Sequence, residues 1–250
     1  MNPALLKWIH PEPWPNHSFE MPALQAHRGY WIGGFQENTL AAFRAAKVAG
    51  FRMCELDVRL SKDGVPVVFH DATLARFSGD DRKVDEFTFE ELRNKAQAPS
   101  LRDVLSDAAV PEFFNIELKT KLGEVGRLEP AVAKVIREQR AENRVVFSSF
   151  NPLSLGALAQ TLPEIPRALL VTPEKAEGNN FLLRHLLLAP FLRIHLLHLD
   201  RAMLNRKVCG ELRRKGIPFA VWTVNEKPEA RFFIDCGAKS IITDRVTTLS

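Results

Sequence analysis

Eight short apolar runs recur along the chain, at residues 23–27, 51–59, 113–118, 144–148, 167–171, 194–199, 218–223 and 240–243, and they leave little choice of architecture. Between them lie segments of helical periodicity, at 39–49, 100–108, 127–140, 152–161, 174–188, 201–215 and 227–235. Strand and helix in alternation imply a parallel sheet. Eight such strands, without repeat or linker, fit a single (β/α)8 barrel better than a doubly wound sheet. A length of 250 residues suits one domain of that kind. The barrel is expected over 23–250, behind an N-terminal extension at 1–22.

A ninth strand-like run, "VPVVFHD" at 65–71, exceeds the count. Lys62-Asp63-Gly64 before it is a hairpin signal. If strand 51–60 overshoots the barrel rim and turns back there, Phe69–Asp71 return beside Glu55–Asp57. The hairpin then carries His70 to the same mouth as those carboxylates.

Glu55 and Asp57 stand two apart on one strand, so both side chains take the same face, and Cys54, Leu56 and Val58 take the other. Glu117 and Lys119 in "FFNIELK" repeat the device on the next barrel strand. Barrel interiors favour branched apolar side chains. Three inward carboxylates repel one another and lose hydration unless a cation neutralises them. All-oxygen ligands point to a hard ion, Ca²⁺ or Mg²⁺, rather than zinc. The competing reading is a plain ion network with Lys119, Arg28 or Arg59. His27 closes the first strand and His70 the hairpin. Singly each reads as a structural histidine; together beside a metal site they form an acid/base pair. Arg28 and Lys119 supply positive charge for a phosphate. Trp222 alternates inward near the end of its strand, as core packing or as a flat wall for an organic leaving group. His10, His17, His185, His195 and His198 read as structural.

The remaining features exclude more than they assign. A formal charge of +4 without a basic arm gives no reason to expect a nucleic-acid partner. Arg213-Arg214-Lys215 reads as the solvated end of a helix, with a phosphate- or membrane-facing role as the alternative. Cys54, Cys209 and Cys236 make neither a disulfide framework nor a zinc pattern and read as small core residues in a reducing compartment. The first 22 residues lack an apolar core and are broken by prolines, so no signal peptide is expected and the location is read as cytoplasmic. The apolar window 181–199 carries Arg184, Arg193 and Pro190 and makes a poor membrane span. A helix followed by a buried strand explains it, and an interfacial membrane contact is the alternative.

"AHRG…ENTLAAF", "ELDVRLSKDGVPVVFHD", "NIELK", "SSF", "IHLLHLD", "VWTVN" and "IITD" occur in this order from about residue 23 to 245. The set resembles the glycerophosphodiester phosphodiesterases, a TIM-barrel family. The resemblance implies a divalent metal held by Glu55, Asp57 and Glu117, with His27 and His70 as the acid/base pair. It further implies that Arg28 and Lys119 bind the phosphate, that Trp222 borders the substrate and that Glu37 organises residues behind the site. The family usually has proline where Gln36 stands. It commonly inserts a helical cap where residues 72–98 are short here. The implied activity is hydrolysis of a small glycerophosphodiester to glycerol 3-phosphate and an alcohol, through a cyclic phosphate. Its rivals are a lysophospholipase D or phospholipase C-like lipid phosphodiesterase and a catalytically silent barrel acting as a binding module. The complete set of two histidines and three acids argues against silence.

Overall fold

A computed structural model describes residues 6, 9–15, 19–174 and 193–250. Eight parallel strands close into a barrel: β1 (Leu24–His27), β2 (Met53–Leu60), β6 (Phe113–Leu118), β7 (Val145–Ser149), β8 (Arg167–Val171), β9 (Leu196–Asp200), β10 (Phe219–Trp222) and β11 (Ser240–Thr243). β1 pairs with both β11 and β2, which completes the ring. The helices between them are α1 (Leu40–Val48), α4 (Leu101–Ser106), α5 (Leu128–Gln139), α6 (Pro152–Thr161), α7 (Arg206–Arg214) and α8 (Lys227–Asp235). Side-chain oxygens at Thr39, Ser100, Asn151 and Asn205 accept the first free N–H groups of four of these helices. The helix expected at 174–188 lies, but for its first residue, outside the described residues. The one expected over 201–215 is divided. Asp200 caps a short 3₁₀ turn at Arg201–Met203, and Asn205 then starts α7 afresh.

The alternation read from β2 holds. Cys54, Leu56 and Val58 pack with Phe43, Leu101 and Ile116 in the layer between barrel and helices. Inside the barrel, Met53, Phe113, Val146, Ala168 and Leu196 make an apolar floor near the strand starts. Trp14, Phe19 and Met21 of the N-terminal segment pack against that floor, and the Phe19 ring stacks on Phe113 at 4.2 Å. Glu12 secures the segment through Arg167 (2.8 Å), Arg193 (2.7 Å) and His195 (3.7 Å). Arg167 is wholly buried, and the carbonyls of Arg193, Pro163 and Ile165 accept its other N–H groups.

Beyond the rim, β3 (Pro66–Val68) turns back antiparallel on β2, with Val58 opposite Val68. The short stretch after it builds a compact cap. β4 (Thr73–Leu74) and β5 (Asp80–Lys83) pair across the short helix α2 (Ala75–Ser78), and α3 (Phe89–Ala96) follows. Val67, Phe69, Leu74, Val84, Phe87 and Leu92 give this cap its own apolar centre. Arg213 and Arg214 end α7 in solvent, where cations suit the helix dipole. Cys209 and Cys236, far apart in sequence, adjoin one another; burial first and this neighbour second push the Cys209 thiol up to about 11. Among the described residues no helix is long and apolar enough to cross a membrane.

Two histidines stay neutral in this interior. Burial drives His198 down to about 3, and burial with the adjacent Arg167 guanidinium drives His195 down to about 4. The unfolded chain takes up these protons near 6.5, the ordinary value. Between pH 6.5 and 4 the unfolded state therefore binds more protons, and stability falls as pH falls. His195→Gln should reduce the slope of unfolding free energy against pH in this window by up to about 1.4 kcal/mol per pH unit. Urea titrations at several pH values check this; an unchanged slope would place the folded-state titration of His195 near its ordinary value.

Candidate active site

The mouth of the barrel is assembled by strand register. His27 lies beside Glu55 on the neighbouring strand, and Asp57 beside Glu117 on the next. The cavity they open into has a volume of about 530 Å³. His27, Arg28, Glu55, His70, Glu117, Lys119 and Trp222 all line it. Asp57 sits beneath, only 1% exposed. Glu37 stands behind Arg28, accepting from its Nη1 at 3.0 Å.

Carboxylate oxygens of Glu55, Asp57 and Glu117 converge to within 4.8 Å of one another. Lys119 Nζ lies 3.0 Å from Asp57 Oδ1 and 2.6 Å from Glu117 Oε1, and Arg28 Nε lies 3.3 Å from Asp57 Oδ2. Arg59 lines the same cavity and donates to the His70 carbonyl at 2.9 Å. The ion network thus exists, but it does not balance: three carboxylates face two cations. Burial, then the neighbouring Asp57 and Glu117 charges, hold the Glu55 carboxyl well above the usual carboxylate range. Burial also raises Glu117 against the pull of Lys119. Asp57 goes the other way, because Lys119 and Arg28 outweigh its burial. Asp57 Oδ1 and Glu117 Oε1 lack hydrogen bonds of good geometry. Convergent, under-satisfied oxygens of surplus negative charge suit a hard divalent cation.

The loop after β1 shows why histidine and arginine stand before glycine. Arg28 takes a left-handed turn (φ 55°), and its backbone N–H donates to Glu55 Oε2 at 3.1 Å. Gly29 follows at φ 83°, and a Cβ there would lie 2.8 Å from the Ala42 backbone. Only glycine lets the strand end press onto α1. Gln36 ties the loop to the cap, donating from Nε2 to the Ala96 carbonyl at 2.6 Å.

Each histidine keeps one ring nitrogen for a carboxylate. His27 Nδ1 meets Asp244 Oδ1 at 2.8 Å, and His70 Nδ1 meets Asp71 Oδ1 at 2.7 Å. Burial lowers His70 to about 4. Trp222 donates from Nε1 to the His198 carbonyl and presents its ring edge to Phe150 at 5.7 Å, so it is at once packed and on the cavity wall.

Four side chains at the mouth escaped the sequence reading. Asn38, at φ 56°, donates from Nδ2 to Asp57 Oδ2 at 2.8 Å and accepts the Asp57 N–H at 3.3 Å. Arg76 from the cap bridges Asp71 and Glu37. Asp244 and Asn225 complete the set, joined at 2.8 Å. Asn38, Asn225 and Asp244 lie inside quoted motifs and were discoverable there. Arg76 carries no local signal, because its position depends on the cap's tertiary fold.

The sequence model of the glycerophosphoryl diester phosphodiesterase family matches residues 27–248. A glycerophosphodiester phosphodiesterase of Caldanaerobacter subterraneus is 31% identical over 237 residues, which cover 90% of this chain and 94% of that one. A phosphodiesterase of Oleispira antarctica, solved in complex with the product sn-glycerol-3-phosphate, superposes with a TM-score of 0.77 at 25% identity, over 92% of this chain and 95% of its own. A glycerophosphodiester phosphodiesterase of Thermotoga maritima gives 0.68 at 30% identity, over 92% and 97%. Sequence order, barrel and length agree from β1 to the last strand, and the chain belongs to the glycerophosphoryl diester phosphodiesterase family.

Proposed function

We propose that the barrel hydrolyses small, water-soluble glycerophosphodiesters to glycerol 3-phosphate and an alcohol, with Ca²⁺ or Mg²⁺ held by Glu55, Asp57 and Glu117. The observation that carries this reading is the convergence of those three acids with two histidines and two cations at one cavity. The named relative and the neighbour solved with sn-glycerol-3-phosphate support the substrate class. A cytoplasmic location fits a soluble substrate. Once bound, the metal would reverse the sign of the surplus charge, polarise the phosphate and acidify an attacking oxygen.

The chain's own residues divide the remaining work. Arg28 and Lys119 draw the phosphate oxygens to the mouth, and Trp222 with Phe150 walls the organic side. Glu37 holds Arg28 in place. His27 is the base that takes the proton of the glycerol 2-hydroxyl, which attacks the adjacent phosphorus. Intramolecular attack carries an advantage of several kcal/mol over free water, at best about 7–11. His70 is the acid for the leaving alcohol. Burial favours its neutral form, and the negative charge of an entering phosphodiester favours the proton it must donate. Water then opens the cyclic 1,2-phosphate.

Asp57→Asn should lower glycerophosphocholine hydrolysis roughly 100–1000-fold, the scale of losing one electrostatic partner of the transition state, with circular dichroism unchanged. Chelation should do the same and added Ca²⁺ or Mg²⁺ should restore turnover. Full activity in excess chelator, on protein that elemental analysis finds metal-free, removes the metal from the mechanism. A 2-deoxyglycerol analogue should be nearly inert, and phosphorus NMR should catch a cyclic phosphate from the parent compound. Hydrolysis of the analogue at the parent rate would mean direct attack by water. Finally, kcat/KM should favour glycerophosphocholine over lysophosphatidylcholine. A ten-fold preference for the lysolipid, about 1.4 kcal/mol in transition-state terms, would transfer the assignment to a lipid phosphodiesterase.

A further inference from the structure

One charged group at the mouth has no part in the scheme above, although it touches the base. Asp244 follows the last residue of β11, the strand that closes the barrel against β1. Its Oδ1 faces His27 Nδ1 at 2.8 Å and also accepts the Trp31 indole N–H at 3.2 Å. Its Oδ2 accepts from Asn225 Nδ2 at 2.8 Å, and Asn225 Oδ1 in return accepts the Asp244 backbone N–H at 2.8 Å. The carboxylate is thus held on both oxygens by neutral donors from two different loops. Asp71 behind His70 is held otherwise, by the Arg76 guanidinium.

An ionised carboxylate can only accept hydrogen bonds. These contacts, with that of His27, outweigh burial and keep the Asp244 carboxyl below its ordinary range. The His27 proton must then reside on Nδ1, which leaves the Nε2 lone pair to face the cavity, 4.0 Å from Glu55 Oε2. With the opposite tautomer, Nε2 would carry the proton and could take none from a substrate.

We infer that Asp244 is a positioning residue for this reaction: it fixes the tautomer and ring orientation of His27, and Trp31 and Asn225 in turn fix Asp244. The inference rests on the proposed role of His27 as base. Because Trp31 belongs to the glycine-rich loop over the mouth, that loop and the histidine are registered on one oxygen atom.

The test combines turnover with a signal that does not need it. In protein labelled with ¹⁵N-histidine, the His27 resonances, assigned by their loss in His27→Gln, should show a protonated Nδ1 and a bare Nε2. In Asp244→Asn the amide can donate to Nδ1, and the other tautomer should appear. On glycerophosphocholine this variant should lose about 100-fold or more in kcat, the scale of a general base, with KM within about three-fold. Asn225→Ala keeps the carboxylate but removes its hold on Oδ2; it should keep part of the wild-type tautomer and lower kcat by less than Asp244→Asn does, and it stands in if Asp244→Asn does not fold. A wild-type His27 protonated on Nε2 overturns the inference. So does an Asp244→Asn enzyme with an unchanged tautomer or with kcat within three-fold of wild type, or an Asn225→Ala enzyme indistinguishable from wild type in both tautomer and kcat. If the wild-type protein turns over no glycerophosphodiester, the proposed function fails, while the tautomer still decides what Asp244 does to His27.

Discussion

Burying three carboxylates where water cannot solvate them sets the terms for everything at the mouth of this barrel. Lys119 and Arg28 offset two of the charges, and the third acid, Glu55, has no matching cation, so burial and its neighbours push its carboxyl toward the protonated form. An arrangement with surplus negative charge should repel a phosphate, yet the chain belongs to a family named for acting on phosphodiesters. A divalent cation joined to the acids would resolve the contradiction, because the same residues would then present a net positive site. Lys119 would be displaced in part from the acids toward an incoming anion. The ion network and the metal site are, on this view, two occupancies of one arrangement.

The imbalance extends outward through alternating charges. Asp57 is held by Arg28, Arg28 by Glu37, Glu37 by Arg76, Arg76 by Asp71, and Asp71 by His70. Each member is partly removed from water and each needs the next. Through Arg76 the chain enlists the cap, which Gln36 also tethers to the loop after β1. Substitutions in the cap can therefore act on the acid His70 without reaching the cavity.

Much of this was legible beforehand, for reasons tied to period and register. Glu55, Asp57 and Glu117 declare themselves because polar residues at every second place of an apolar strand must share a face. His70 could be brought to the mouth because Lys62-Asp63-Gly64 marks a turn, and Val58 does face Val68 across it. The strands at 113–118, 167–171 and 240–243 have the expected ends. What stayed hidden depends on contacts distant in sequence. Nothing near Arg167 foretells a partner at Glu12, and nothing near Arg76 foretells Glu37. The split before α7 turned on Asp200 and Asn205 acting as caps, a signal present in the residues but masked by the apolar period around it.

The apolar floor changes what should count as the unit of this protein. The stretch that matches the family begins at residue 27, after Trp14, Phe19 and Met21. Those three side chains seal the lower end of the barrel, beneath the layer that holds Asn115, Ser148 and His198. A chain trimmed to the family boundary would keep every residue assigned to the chemistry and still admit solvent from below. The dielectric felt by the acids is therefore set partly by amino acids outside the stretch that the family's sequence model matches, and a boundary drawn by motif differs here from one drawn by physics.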